Sequence, residues 1–126
     1  MRLLADTHAI YWFLNGNLRL PRRARSALED TSNDVFVSVI SGYEIALKAG
    51  RGRMHAPFLA EFEAILRKAR FAVLPLTLDT AVQAGNLPGP HGDPWDRVLI
   101  AHAKRDGLTV VTIDSIFRDY GVPVLW

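Results

Sequence analysis

Five carboxylates in this chain stand where an apolar run ends or a helix is due to start. Asp6 follows Leu3-Leu4-Ala5, and Asp114 follows Leu108-Thr109-Val110-Val111-Thr112-Ile113. Asp93 and Asp96 bracket Pro94-Trp95, and Glu44 comes a turn or two after Val35-Phe36-Val37. Taken singly, each has an ordinary use. An Asp at a helix start satisfies free N–H groups and the helix dipole, and Glu44 has Lys48 four residues on as an ion-pair partner. Brought to one address, carboxylates repel one another unless a cation or protons compensate, and a divalent metal is the natural compensation. The chain has no cysteine, and all-oxygen ligands favour the hard ions Mg²⁺ and Mn²⁺ over zinc. Such ions activate water and stabilise the oxyanions of phosphodiester cleavage. The chemistry implied is that of a nuclease.

Shared address depends on the elements that carry the acids. Asp93 reads as an N-cap with Pro94 at the first helical position and Asp96 at the third, opening a helix that runs to Arg105. Asp106-Gly107 closes it, and residues 108–113 form a β-branched run suited to a buried strand that delivers Asp114. Leu3-Leu4-Ala5 hands over at Asp6 to a helix over 7–14, and Pro21 opens a second helix ending near Asp30 to Asn33. Strand 35–37 leads to a helix capped by Ser38 or Ser41 that carries Glu44 before Gly50 and Gly52 break it. Phe58, Leu59, Phe62, Ile65, Leu66 and Ala69 follow helical spacing over 57–70. A Pro-interrupted edge strand is expected over 71–76, a short helix over 78–84, and after Asp114 a short helix to Tyr120 and a final strand over 122–126. Strands alternating with helices indicate an α/β domain with a mostly parallel central sheet of four to five strands and helices on both faces. In such sheets ligands bind beyond the carboxyl ends of the strands, and that rule gathers Asp6, Glu44, Asp96 and Asp114 into one site.

The length of 126 residues suits one domain, 1–126, with a sizeable core, in keeping with the 49% hydrophobic content. The lack of cysteine excludes disulfides and thiolate chemistry and permits a reducing compartment. No run approaches the ~18 apolar residues of a membrane span, and Asp6 and His8 interrupt the N-terminal apolar stretch too early for a signal peptide. A soluble, cytoplasmic protein is expected. Net charge is +2, but only Lys48, Lys68 and Lys104 among the basic residues are lysine. Arginine's planar fork suits phosphate, and the clusters Arg19, Arg22, Arg23, Arg25, then Arg51, Arg53, then Arg67, Lys68, Arg70 fit either a nucleic-acid partner or solvated helix faces. His102 shares a helix face with Trp95, Val98 and Leu99 and reads as a packing residue, and Tyr11, Trp12 and Phe13 read as core rather than base-stacking aromatics. No Gly-rich phosphate loop or nucleophile elbow is present.

Several segments in combination resemble the PIN-domain ribonucleases, and more closely the VapC toxins of bacterial toxin–antitoxin pairs. They are Leu3-Leu4-Ala5-Asp6-Thr7-His8, Val37-Ser38-Val39-Ile40-Ser41 with Glu44-Ile45-Ala46, His91-Gly92-Asp93-Pro94-Trp95-Asp96-Arg97, Ile100-Ala101-His102-Ala103, Thr109-Val110-Val111-Thr112 with Asp114, and the final Gly121-Val122-Pro123-Val124-Leu125-Trp126. The resemblance covers nearly the whole chain. It implies a three-layer PIN-like fold and Mg²⁺- or Mn²⁺-dependent endonucleolytic cleavage of RNA, with Asp6, Glu44, Asp96 and Asp114 as the metal-binding acids. Asp93 matches a further acid of the subgroup, with helix capping as its alternative use. Ser38 and Thr112 match positions that support the acids by hydrogen bonding. A homodimer held inactive by a small VapB-type antitoxin is the implied assembly. Arg22, Arg23, Arg51 and Arg53 are the candidates for RNA contact, and Arg97 either binds phosphate or pairs with an acid. Gly42-Tyr43 and Ile113 depart from the commonest residues at their positions without removing an acid. Two alternatives stand beside this reading: a catalytically silent binding module on the same fold, and a phosphoacceptor receiver domain. The receiver needs an acidic pair after the first strand and a lysine after a late one, whereas Asp6 is followed by Thr7-His8.

Overall fold

The computed structural model describes residues 1–126. The short apolar run at the N-terminus becomes β1 (Arg2–Ala5), and Asp6 turns the chain into α1 (Thr7–Leu14). There follow α2 (Arg22–Glu29), β2 (Asp34–Ser38), α3 (Val39–Gly50), α4 (Phe62–Lys68), β3 (Ala72–Leu74), α5 (Leu78–Asn86), α6 (Pro94–Asp106), β4 (Thr109–Val111), α7 (Ile116–Asp119) and β5 (Val124–Leu125). The five strands form one sheet in the order β3-β2-β1-β4-β5, and every pairing is parallel. Leu3 lies opposite Val35 on one side and Thr109 on the other, so β1 is the centre of the sheet.

A central parallel strand has both faces covered, and alternation along it divides the core in two. Leu3 and Ala5 point to the layer of α1 to α4, where they join Ile10, Val35, Val37, Ile45 and Leu66. Leu4 points the other way, to Leu99, Ile100 and Ala103 of α6, Val110 of β4 and Phe117 of α7. This is the three-layer α/β architecture expected, with five strands.

The departures are local and have physical causes. The helix expected over 57–70 starts as a 3-10 turn, Pro57–Glu61, and becomes α-helical only at Phe62. Glu61, at φ −126° and ψ 23°, leaves the helical region, and the bend lets Phe58 and Phe62 pack edge-to-face against the rim of the α1 layer. The run 108–113 is strand only over Thr109–Val111, and Ile113 is 66% exposed rather than buried. Thr112 ends the strand because its hydroxyl accepts from the Asp114 amide, folding the chain away from the sheet. The expected strand 71–76 narrows to Ala72–Leu74 at the sheet edge, and α5 continues to Asn86, two residues beyond its expected end at residue 84. Gly107, at φ 65°, closes α6 in the left-handed conformation.

Leu4 is fully buried at the centre of the sheet, whereas Leu18 is 94% exposed. Leu4→Ala is expected to lower stability by about 2–5 kcal/mol through loss of burial and a residual cavity. Leu18→Ala should change it by no more than about 0.5 kcal/mol. Thermal or urea denaturation of the two variants checks the assignment of the core.

Candidate active site

The strand order reverses direction at β1, which places the crevice of the sheet beyond the carboxyl ends of β1 and β4. Asp6 leaves β1 there, and Thr112 and Asp114 leave β4 there. Because α1 and α3 follow parallel strands and α6 precedes one, the N-terminal ends of all three helices lie at this same edge. They carry Asp6 and Asp93 as caps, Asp96 in the first turn of α6 and Glu44 in the second turn of α3.

Asp6 is 9% exposed and fully engaged. Its Oδ1 accepts from the Thr7 amide at 2.6 Å, capping α1, and its Oδ2 accepts from the Thr112 hydroxyl at 2.6 Å. The same Thr112 oxygen accepts from the Asp114 amide at 3.0 Å, and Asp114 Oδ1 accepts from the Ile116 amide at 3.0 Å. One chain of hydrogen bonds therefore runs from β1 through Thr112 to Asp114. Beside it, the Thr7 and Ser41 hydroxyls meet at 2.9 Å and tie α1 to α3 one turn before Glu44. Glu44 is buried and receives Lys48 Nζ at 2.5 Å. Asp96 Oδ2 meets His91 Nε2 at 3.1 Å. Asp93, which is exposed, accepts from the Trp95 and Asp96 amides at 2.9 and 3.3 Å, so capping is the role its contacts define.

These acids share one electrostatic field. Burial raises the Asp6 carboxyl above its ordinary value; the Thr112 hydrogen bond, the His8 charge and the Thr7 amide oppose this, and Glu44 adds to it. Asp96 is pushed up to about 6, first by burial and then by the charge of Asp93, against the His91 hydrogen bond, with Asp6 and Asp114 contributing further repulsion. The side chains as they stand do not converge three at a time on a single point, since Glu44 is turned to Lys48 and Asp96 to His91. The donor set is nonetheless all oxygen, anchored at Asp6 and mutually repulsive, which suits a hard divalent cation.

Two supporting assignments need correction. Thr112 holds Asp6, but Ser38 touches no acid: its hydroxyl meets His102 Nε2 at 2.9 Å and accepts from the Ile40 amide at 3.1 Å, capping α3. Alternation explains this, because Ser38 falls on the same face of β2 as Phe36, the face α6 covers. His102 is the buried packing residue expected, and burial lowers its pKa, with Asp106 opposing and Arg105 assisting. Arg97 pairs with no acid, and its guanidinium is turned to backbone carbonyls. Its Nε donates to Ala84 O, Nη1 to His91 O, and Nη2 to Gly85 O and Leu87 O, at 2.7–3.1 Å. It therefore fastens the loop that carries His91.

Arg22, Arg23, Arg51 and Arg53 are exposed. Arg51 and Arg53 follow the end of α3, roughly 10 Å along the helix axis from Glu44 at 1.5 Å per residue. They flank the site rather than line it. The sequence offers Ser41 only as an alternative cap of α3, a role Ser38 takes, and Thr7 only as the residue beside Asp6; their bond to each other has no sequence signal beyond position.

The PIN domain family model matches residues 3–123. The chain belongs to the PIN-domain family. It is 31% identical to Ribonuclease VapC22 of Mycobacterium tuberculosis over 124 residues, covering 96% of this chain and 93% of that one. The fold is shared with VapBC2 from Rickettsia felis bound to a promoter DNA fragment, at TM-score 0.73 and 16% identity over 99% of this chain and 98% of that one. It is shared equally with M. tuberculosis VapC20, a sarcin-ricin-loop-cleaving toxin, at TM-score 0.71 and 18% identity over 95% of each chain. Membership in this family sets the receiver-domain alternative aside.

Asp96 yields a stability prediction whose sign is fixed. Its folded carboxyl titrates near 6 and its unfolded carboxyl near 3.8. Between those values the folded state binds more protons, so stability falls as pH rises through the window, and the ionised carboxylate opposes folding above it. In chelator at about pH 7.5, Asp96→Asn is expected to stabilise the chain by ~1–2 kcal/mol, a gain that vanishes near pH 4. Melting curves at both pH values check this. Arg97→Ala should cost about 2–4 kcal/mol, since it strands several carbonyls, and Arg97→Lys should recover little because an ammonium lacks the planar fork. An unchanged melting temperature in Arg97→Ala would return Arg97 to the list of phosphate ligands.

Proposed function

We propose that this chain is a metal-dependent endoribonuclease of the VapC type, the toxin half of a type II toxin–antitoxin pair, formed by a single PIN domain and acting in the cytoplasm. The observation that carries the proposal is the gathering of Asp6, Glu44, Asp96 and Asp114 at the carboxyl edge of β1 and β4, where burial, and after it the charge of neighbouring acids, raises Asp6 and Asp96. The curated relative is named as a ribonuclease, and VapC20 is described as cutting RNA at the sarcin-ricin loop. Both support RNA as the substrate.

In this reading Asp6, Glu44, Asp96 and Asp114 hold one or two Mg²⁺ or Mn²⁺ ions, with Asp93 completing the acidic edge while it caps α6. The bound metal lowers the pKa of water and stabilises charge on the phosphate oxygens. The chain's own residues do the positioning. Thr112 and the Thr7 amide each donate to one oxygen of Asp6 and so fix the orientation of its carboxylate. Asp114 is held by the Thr112 and Ile116 contacts. Lys48 and His91 sit against Glu44 and Asp96 and limit their mutual repulsion. Arg22, Arg23, Arg51 and Arg53 supply phosphate contacts along the flanks, which set the position of the RNA without reading its sequence.

The partner is a small VapB-type antitoxin, and the working form a homodimer. The antitoxin is supported by the solved relatives, among them VapBC2 and FitAB on DNA and a VapBC-1 structure from nontypeable Haemophilus influenzae, and the homodimer is what the family resemblance implies.

The test is RNA cleavage by purified chain freed of any partner, with Mg²⁺ or Mn²⁺ and with chelator. Cutting should require the metal, and Asp6→Asn and Asp96→Asn should each lose on the order of 10²-fold or more in rate. Wild-type rates in Asp96→Asn would overturn the site, and tight metal binding without cutting of any RNA would favour the silent module.

A further inference from the structure

Ten of the chain's twelve aromatic side chains pack into one or other core layer, and the two that do not are Tyr43 and Trp95. They come from different elements, α3 and α6, and meet with ring centroids 5.2 Å apart and planes inclined by 36°. Tyr43 is 60% exposed and Trp95 half-buried. Each directly precedes an acid of the site, Glu44 in one case and Asp96 in the other. The pair is left out of both core layers and sits on the two helices that carry Glu44 and Asp96, with Tyr43 largely in water.

We propose that Tyr43 and Trp95 form a stacking shelf for a base of single-stranded RNA next to the phosphate that is cut, an inference that rests on the nuclease reading above. The chemistry selects the ligand. The acid cluster repels a phosphate backbone, and the one lysine at the site, Lys48, is already engaged with Glu44. A neutral ring shelf binds the part of a nucleotide that this field does not repel, and every base has a π-face to offer. Stacking also requires the base to be splayed out of a duplex, so the shelf selects loops and single strands over helices. A second copy of this chain would be the other apolar occupant of an exposed aromatic, and the experiment separates the two.

Short single-stranded RNA carrying 2-aminopurine at successive positions is titrated, with Ca²⁺ as the hard divalent ion at the oxygen ligands, into wild type, Tyr43→Ala, Tyr43→Phe and Trp95→Phe, with light scattering on each protein. Quenching of 2-aminopurine at one position on wild type is expected. Affinity should fall about ten-fold or more in Tyr43→Ala and recover in Tyr43→Phe, which keeps the ring, while the molar mass stays constant. Trp95→Phe should retain binding with weaker quenching. Unchanged affinity in Tyr43→Ala, or loss of affinity that follows a change in molar mass, overturns the shelf. If wild type cuts RNA while Tyr43→Ala binds it normally, the shelf alone fails; if wild type neither binds nor cuts RNA, the nuclease reading fails with it.

Discussion

The interaction on which the rest of this structure depends is the bond between Asp6 and Thr112. A carboxylate at the end of the central strand is removed from water, and burial alone would drive it towards its protonated form. The Thr112 hydroxyl and the Thr7 amide, both at 2.6 Å, resist that by donating to it. Each donor also serves the fold: Thr7 starts α1 on the Asp6 cap, and Thr112 ends β4 and passes the chain to Asp114. The register that places Ala5 opposite Val111 is what brings the two side chains together. A slip of one residue would turn Asp6 and Thr112 to opposite faces. Strand pairing, helix capping and the placement of two acids are therefore one constraint.

The same arrangement sets stability against function. Asp96 titrates near 6 because it is part-buried among Asp93, Asp6 and Asp114, and a chain selected for stability alone has no use for such a cluster. The core compensates elsewhere: Leu3, Leu4, Ile10, Ile45, Leu99 and Ile100 are fully buried on the two faces of the sheet. Local cations also help, since Lys48 and His91 each face one acid. Strain concentrated at one edge and consistency elsewhere is the pattern expected of a functional site.

Much of this was legible because the acids interrupt apolar runs. Asp6 after Leu3-Leu4-Ala5 and the Asp93-Pro94-Trp95-Asp96 start are local signals, and the parallel βα order then fixes which edge they share. What was not legible depends on which face a side chain takes or on what its neighbours demand. Ser38 caps α3 as its type suggests, but its second contact is His102, 64 residues away, and only the alternation of β2 against α6 decides that. Arg97 lies beside an acid in sequence, yet carbonyls from Ala84 to His91 occupy it, because the Pro-Gly loop has few internal hydrogen bonds and needs an external donor. Ile113 has the composition of a strand residue, and the turn made by Thr112 and Asp114 puts it in solvent. The 3-10 start at Pro57 answers to the packing of Phe58 and Phe62, which local periodicity does not encode.

The engagement of Arg97 bears on how a polyanion can approach this edge at all. With that guanidinium turned to backbone carbonyls, Lys48 is the one lysine or arginine paired with an acid of the site, while His8 acts on Asp6 and His91 meets Asp96. The field at the cluster is negative, and a phosphate group entering it unaided is repelled. Neutralisation has to be supplied at the acids themselves, and the oxygen-only donor set there suits a divalent cation. On the proposed reading, the exposed arginines hold the RNA backbone at a distance where screening by salt is strong. A change in ionic strength then acts chiefly on capture of the RNA, and a change at the proposed ligands Asp6 or Asp96 on the chemical step, and the two are separated by measuring affinity and turnover on the same substrate.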